Sequence, residues 1–117
     1  MTNYSENIVT NQAHPGDSST QTLTGDKYKG DGYYGRSDGF HTVQYNVYGF
    51  IGTIVMQATL AVNPTSTDWF TLSSTEYTSA SSTDGSFVYN FTGNYVWVRA
   101  VVSSWTDGTV NSIVLNH

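Results

Sequence analysis

From Phe40 onward, apolar and polar residues alternate with a period of two, with turn-forming residues recurring about every 8–12 positions. Over Phe40–Val47, the residues Val43, Tyr45 and Val47 share one face. Gly52–Val62 sets Ile54, Met56, Ala58, Leu60 and Val62 inward and Thr53, Gln57 and Thr59 outward. Asp68–Leu72 is a short strand with Trp69 and Phe70, and hydroxyl-rich Ser73–Thr83 reads as an edge strand with a loop. Ser86–Phe91 aligns Phe87, Tyr89 and Phe91. Tyr95–Ser103 places Val96, Val98, Ala100 and Val102 on one face and Tyr95, Trp97 and Arg99 on the other, and Thr109–Asn116 is the last strand. Tyr48-Gly49, Asn63–Ser66, Asp84-Gly85 and Thr92-Gly93-Asn94 read as breaks or turns, and Asp107-Gly108 as a hairpin. No stretch repeats apolar residues at helical spacing, so no long helix is expected.

Six to eight short antiparallel strands in about 80 residues must close on themselves, because each would otherwise leave an apolar face wet. The expected fold is all-β: an antiparallel β-sandwich, jelly-roll-like or of a related type, with a small barrel as the other closed solution. A chain of this size buries roughly 65% of its unfolded surface, enough without disulfides.

The first 39 residues differ. They contain four residues of the Val, Ile, Leu, Met and Phe group: Met1, Ile8, Val9 and Leu23. His14-Pro15-Gly16-Asp17 is a turn signal, and Thr20–Thr24 alternates enough for a short strand around Leu23. So polar a segment cannot by itself offset its ordering entropy. It reads as an extended N-terminal arm and Gly/Tyr-rich loop (1–39) that takes its shape against a partner chain, a symmetry mate or the sandwich itself, ahead of the sandwich (40–117).

Composition agrees and removes several functions. The net charge is −5 and the cations are four, Lys27, Lys29, Arg36 and Arg99, too few for a protein that grips a phosphate backbone. Nucleic acid is therefore not an expected partner. Seventeen Thr and 14 Ser, with nine Tyr, suit pleated sheets. With no Cys there is no disulfide, zinc–thiolate site or thiol nucleophile. No apolar run is long enough to span a membrane as a helix, and Met1–Thr10 lacks the pattern of a signal peptide.

Catalytic chemistry finds little support. No Ser stands in Gly-x-Ser-x-Gly; His14 lies in the arm, His41 opens a strand and His117 is terminal. The two Glu, Glu6 and Glu76, stand far apart in sequence, and most Asp stand beside Gly or in polar turns. Asp26–Gly32 has acidic residues but neither the alternating ligands nor the closing Glu of a calcium loop. No enzyme, metal or cofactor is expected. Aromatic residues offer another chemistry. Trp97 and Arg99, two apart on one strand, can form a cation–π pair or cover a packed face. Trp69, Tyr77 and Trp105, at loop ends, are candidates for stacking on a sugar ring.

The runs Tyr48–Leu60, Asp68-Trp69-Phe70, Phe91-Thr-Gly-Asn-Tyr-Val-Trp-Val-Arg-Ala100 and Thr109-Val-Asn-Ser-Ile113 resemble a small β-sandwich module of virion structural proteins in tailed bacteriophages, of the T4-like cyanophage type. The resemblance covers about 36–117. Discoidin-like sandwiches carry a similar Tyr-x-x-Val-Arg strand. The resemblance implies a non-enzymatic virion component, an accessory decoration or cement subunit of head or tail, made in the host cytoplasm and docked on other virion proteins or on copies of itself. On that reading Tyr28, Tyr33, Tyr34 and Arg36 serve arm contacts, and Trp97 with Arg99 a packed face. The alternative is a receptor- or carbohydrate-binding module that meets a host surface glycan through Trp69, Tyr77 or Trp105.

Overall fold

The structure, a computed structural model, describes residues 5–17, 19–30, 32–33 and 39–116. Six strands follow in order: β1 (Ser5–Ala13), β2 (Gln21–Thr24), β3 (Tyr28–Lys29), β4 (Phe40–Thr59), β5 (Phe70–Thr92) and β6 (Trp97–Asn116). All pairings are antiparallel, in the order β1-β6-β4-β5, with β2 and β3 also on β6. The described residues contain no helix.

The alternating faces are where the periodicity puts them as far as Ala58 in β4 and again along β6, whereas Thr59, set outward by the pattern, is buried; the strands are fewer and longer than expected. β4 and β6 have 20 residues each and β5 has 23. A straight strand of 20 residues would be about 66 Å long at about 3.3 Å per residue. The longest dimension of the molecule is 43 Å, so the strands must bend. They bend at the residues that read as turns. Pairing slips between Val47 and Phe50 and again between Phe50 and Gly52 against β5, and between Tyr48 and Thr53 against β6. The inward set of β4 accordingly changes from odd positions (43, 45, 47) to even ones (50, 54, 56, 58). A slip of one residue moves every following side chain to the opposite face, so this bulged corner keeps both halves facing one core. Tyr48-Gly49, Asp84-Gly85 and Asp107-Gly108 thus form one crease across three neighbouring strands instead of three chain reversals. The Gly49 N–H donates to Asp84 Oδ1 at 2.7 Å. Gly108, at φ +88°, lies so close that a Cβ there would overlap the Gly49 carbonyl oxygen.

Folding along the crease makes a β-sandwich. One layer holds β1, the second half of β6, the first half of β4 and the second half of β5; the other holds β2 and β3 with the remaining halves. Tyr45, Phe50, Ile54, Met56, Val98, Val102, Ile113 and Leu115 fill the space between them. Tyr77 stacks on Phe87 across the layers at 4.2 Å. Tyr45 donates its hydroxyl to the Thr75 carbonyl at 2.9 Å, and burial raises its pKa well above the usual phenol value. Between the pairs Ile54↔Tyr77 and Met56↔Leu72, β5 contains extra residues that the ladder cannot satisfy. Thr75, fully buried, closes this gap: its Oγ1 accepts the Met56 N–H at 3.0 Å and donates to the Leu72 carbonyl at 2.7 Å.

The polar N-terminal segment belongs to this architecture. β1 covers the free edge of β6 in one layer, and β2 with β3 covers it in the other. Its ordering is offset by main-chain hydrogen bonds to an otherwise open edge, by burial of Ile8 and Val9, and by His14 against Trp105 at 5.6 Å. His14 Nδ1 accepts the Gly16 N–H, so Nε2 is the donor to the Ser19 carbonyl. Two further expectations change. Leu60 and Val62 point to solvent, 65% and 67% exposed: β4 ends at Thr59, whose hydroxyl accepts the Ala61 N–H. His41 is buried, stacked on Phe91 at 4.7 Å with Nδ1 at 3.0 Å from the Gly39 carbonyl.

Candidate functional site

Alternation on β6 sends Val98 and Ala100 inward and Trp97 and Arg99 outward. Gln57 of β4 pairs in register with Arg99, and its Oε1 accepts from Arg99 Nε at 2.9 Å. Trp69, at the foot of β5, lies under the guanidinium, 4.2 Å from ring centroid to Arg99 Cζ. Burial lowers the basicity of Arg99, which remains a cation at any physiological pH.

Two loops close around this pair. The β4–β5 loop is tied down by a turn in which Asp68 Oδ2 accepts from the Thr65 N–H and hydroxyl at 2.6 and 3.1 Å. The Val62 carbonyl of the same loop accepts from Trp97 Nε1 at 2.8 Å. On the other side, the Gly25 N–H donates to the Ala100 carbonyl at 2.8 Å, and the chain leaves β2 beside β6. This route sets Lys27 5.0 Å above the Trp97 ring. Tyr33 tilts against the same ring at 5.1 Å, and Lys29 lies 4.5 Å over Tyr33. Between the loops is an open hollow of about 310 Å³, with Trp69, Arg99, Asp26, Lys27, Thr65 and Ser66 in its lining.

The structure thus brings together Tyr33, Trp97, Arg99 and Trp69, which the sequence assigned to two different roles. Trp105 is not an exposed platform: it is 5% exposed, held by His14 and by donation of Nε1 to the Asp107 carbonyl at 3.0 Å. Tyr77 is half-buried between Phe50 and Phe87. Tyr28 packs on the core beside a second hollow of about 250 Å³ between β1 and the β2–β3 segment. Burial there raises its pKa, with Asp26 and Glu6 adding to the effect. Tyr34 and Arg36 lie outside the described residues. Sequence reasoning did not select Gln57, Asp26 or Lys27 as site residues. Only the cross-strand register marks Gln57, and only the path of the β2–β3 connection marks the other two. Among the described residues no three His, Asp or Glu side chains converge.

An aromatic ring backed by a cation, a carboxylate and two hydroxyls around an open hollow suits a ligand with both C–H faces and hydroxyl edges. No protein-family model and no curated protein matches the chain. Solved structures do. The chain is similar to a family 29 carbohydrate binding module from Piromyces equi, with a TM-score of 0.55 at 12% identity, over 98% of this chain and 91% of that one. It is also similar to the SPBc2 prophage-derived protein YomS, with a TM-score of 0.52 at 13% identity and the same coverage. These likenesses define the class of fold, an all-β sandwich of the kind that carbohydrate-binding modules build.

Proposed function

We propose that the chain is a non-enzymatic glycan-binding β-sandwich module that works on a phage particle and holds saccharide in the hollow at Trp69. The observation that carries this reading is the Trp69–Arg99 pair, open to a hollow that also presents Asp26, Thr65 and Ser66. A pyranose ring offers a patch of C–H bonds to an aromatic face, while its hydroxyls donate to a carboxylate and accept from a guanidinium; the charged partners give the stronger hydrogen bonds. The likeness to a carbohydrate binding module supports the ligand class. The phage setting is supported by the strand motifs and by the likeness to a prophage-derived protein. A second reading, a decoration or cement subunit, has its own support: exposed Leu60 and Val62 stand beside Trp97 and suit a protein neighbour.

A glycan array followed by calorimetry separates the two. The first reading expects saturable binding that weakens at least tenfold, about 1.4 kcal/mol, in Trp69→Ala with the fold retained by circular dichroism. Silence across the array, together with concentration-dependent self-association lost in a Leu60→Ser/Val62→Ser variant, would replace it with the second.

A further inference from the structure

The chain is acidic overall, yet its described cations gather at one place. Of its four basic residues, Lys27, Lys29 and Arg99 are described, and all three lie on rings of the same outer face. Lys29 lies on Tyr33, Tyr33 against Trp97 and Lys27 on Trp97, while Arg99, two positions along β6 from Trp97, lies over Trp69 at the foot of β5. Among the described residues none of the three makes an ion pair. The hydrogen bond of Arg99 runs from Nε to neutral Gln57, and among the described residues its two terminal nitrogens have no acceptor, so they keep their donors. Of the described residues lining the hollow, Asp26 is the one acid, and it is not paired with Lys27 or Arg99.

A site for neutral sugar needs donors and acceptors in comparable number, since each hydroxyl is both. This face is rich in donors and poor in acceptors. Its cations sit 4.2–5.0 Å from ring centroids, a weak form of neutralisation that an arriving anion would improve. Planar carboxylate matches the fork of free N–H groups on Arg99. Resting on the glycan-binding reading, we propose that this face selects saccharides bearing carboxylates, the uronate class. Arg99 and Lys27 receive one carboxylate at the hollow, Trp69 takes the ring that carries it, and Lys29 meets a further carboxylate along the Tyr33–Trp97 surface. Asp26 is left to accept from sugar hydroxyls.

The test is calorimetric titration with a panel of uronate oligosaccharides and their methyl esters, which keep the ring and remove the charge. At 0.1 M NaCl each bound uronate is expected to bind at least tenfold tighter than its ester. At 1 M NaCl, where the screening length falls from about 10 Å to about 3 Å, the preference should shrink. Lys27→Gln, at an exposed position, is expected to reduce the preference at least threefold without altering the melting temperature; Arg99→Gln should reduce it further. Equal binding of acid and ester overturns the uronate assignment and leaves the glycan reading in place. A preference for sulfated over carboxylated saccharides overturns the assignment to carboxylate. No binding of any saccharide, charged or neutral, overturns both.

Discussion

Replacing Thr75 by valine preserves the shape of the side chain and removes its hydroxyl. In the structure that hydroxyl is the partner of two buried main-chain groups, the Met56 N–H and the Leu72 carbonyl, at a point where the β4–β5 ladder is out of step. Each group left buried without a partner costs about 1–3 kcal/mol. The methyl that replaces the hydroxyl returns about 0.8 kcal/mol, so with two groups unpartnered a net loss of about 1–5 kcal/mol is expected. For a chain of this length 1 kcal/mol corresponds to about 4 °C, and the melting temperature should fall by about 4–20 °C. Urea denaturation followed by tryptophan fluorescence measures the free energy, and thermal unfolding followed by circular dichroism the melting temperature. Thr75→Ser is the control: it keeps both hydrogen bonds and loses one methyl, about 1 kcal/mol. The reasoning requires valine, the better isostere, to be the more destabilising of the two. If Thr75→Val proves as stable as Thr75→Ser, the hydroxyl is not what closes this gap.

At the crease, Gly108→Ala places a methyl group on the Gly49 carbonyl oxygen at a positive φ and should cost at least about 3 kcal/mol. Gly49→Ala, at φ +62° with only ordinary contacts to Ser82 and Gly108, should cost about 1–2 kcal/mol; equal urea midpoints for the two would contradict the close approach of the strands. Trp105→Ala should destabilise by about 3–5 kcal/mol as a core truncation. Trp69→Ala, in contrast, should alter stability by less than about 2 kcal/mol while weakening saccharide binding, and calorimetry on both variants tests this separation. Tyr45 has a raised pKa in the folded state because burial penalises the phenolate. Its contribution is therefore complete below the unfolded value near 10 and is lost as pH rises beyond it, by up to about 1.4 kcal/mol per pH unit. Urea midpoints at pH 9 and pH 11 should fall less in Tyr45→Phe than in the parent chain.

One sandwich fold hosts many functions, so fold alone does not choose between ligand and neighbour. The choice here rests on side chains. Arg99 over Trp69, with Gln57 holding Nε, fixes a guanidinium at the rim of a hollow instead of burying it under another layer. The same face carries Lys27 and Lys29, which make no ion pair among the described residues, and this gives the ligand question a charge as well as a shape.

Period-two alternation by itself determined that the chain is all-β and most of the side chains that turn inward, with Thr59, Leu60 and Val62, at and just beyond the end of β4, as exceptions. Val43, Tyr45 and Val47, then Ile54, Met56 and Ala58, then Val98, Ala100 and Val102 are all buried as the pattern predicts. It also set Trp97 and Arg99 on the outer face, because alternation is a local property of an extended chain. Whether a Gly-Asp step reverses the chain or merely bends it is not local. Tyr48-Gly49, Asp84-Gly85 and Asp107-Gly108 carry the same residue chemistry in either case, and only their alignment across β4, β5 and β6 makes them one crease. The fate of the polar first third was likewise decided in three dimensions: it has few apolar side chains, but its main chain meets the open edge of β6, and composition does not report main-chain hydrogen bonds. Trp69, Arg99, Gln57 and Lys27 come from four separate segments, so their meeting depends on register and loop path. Trp105 and Trp69 look alike in sequence, and burial, a property of the whole packed structure, made one a core residue and the other part of the site.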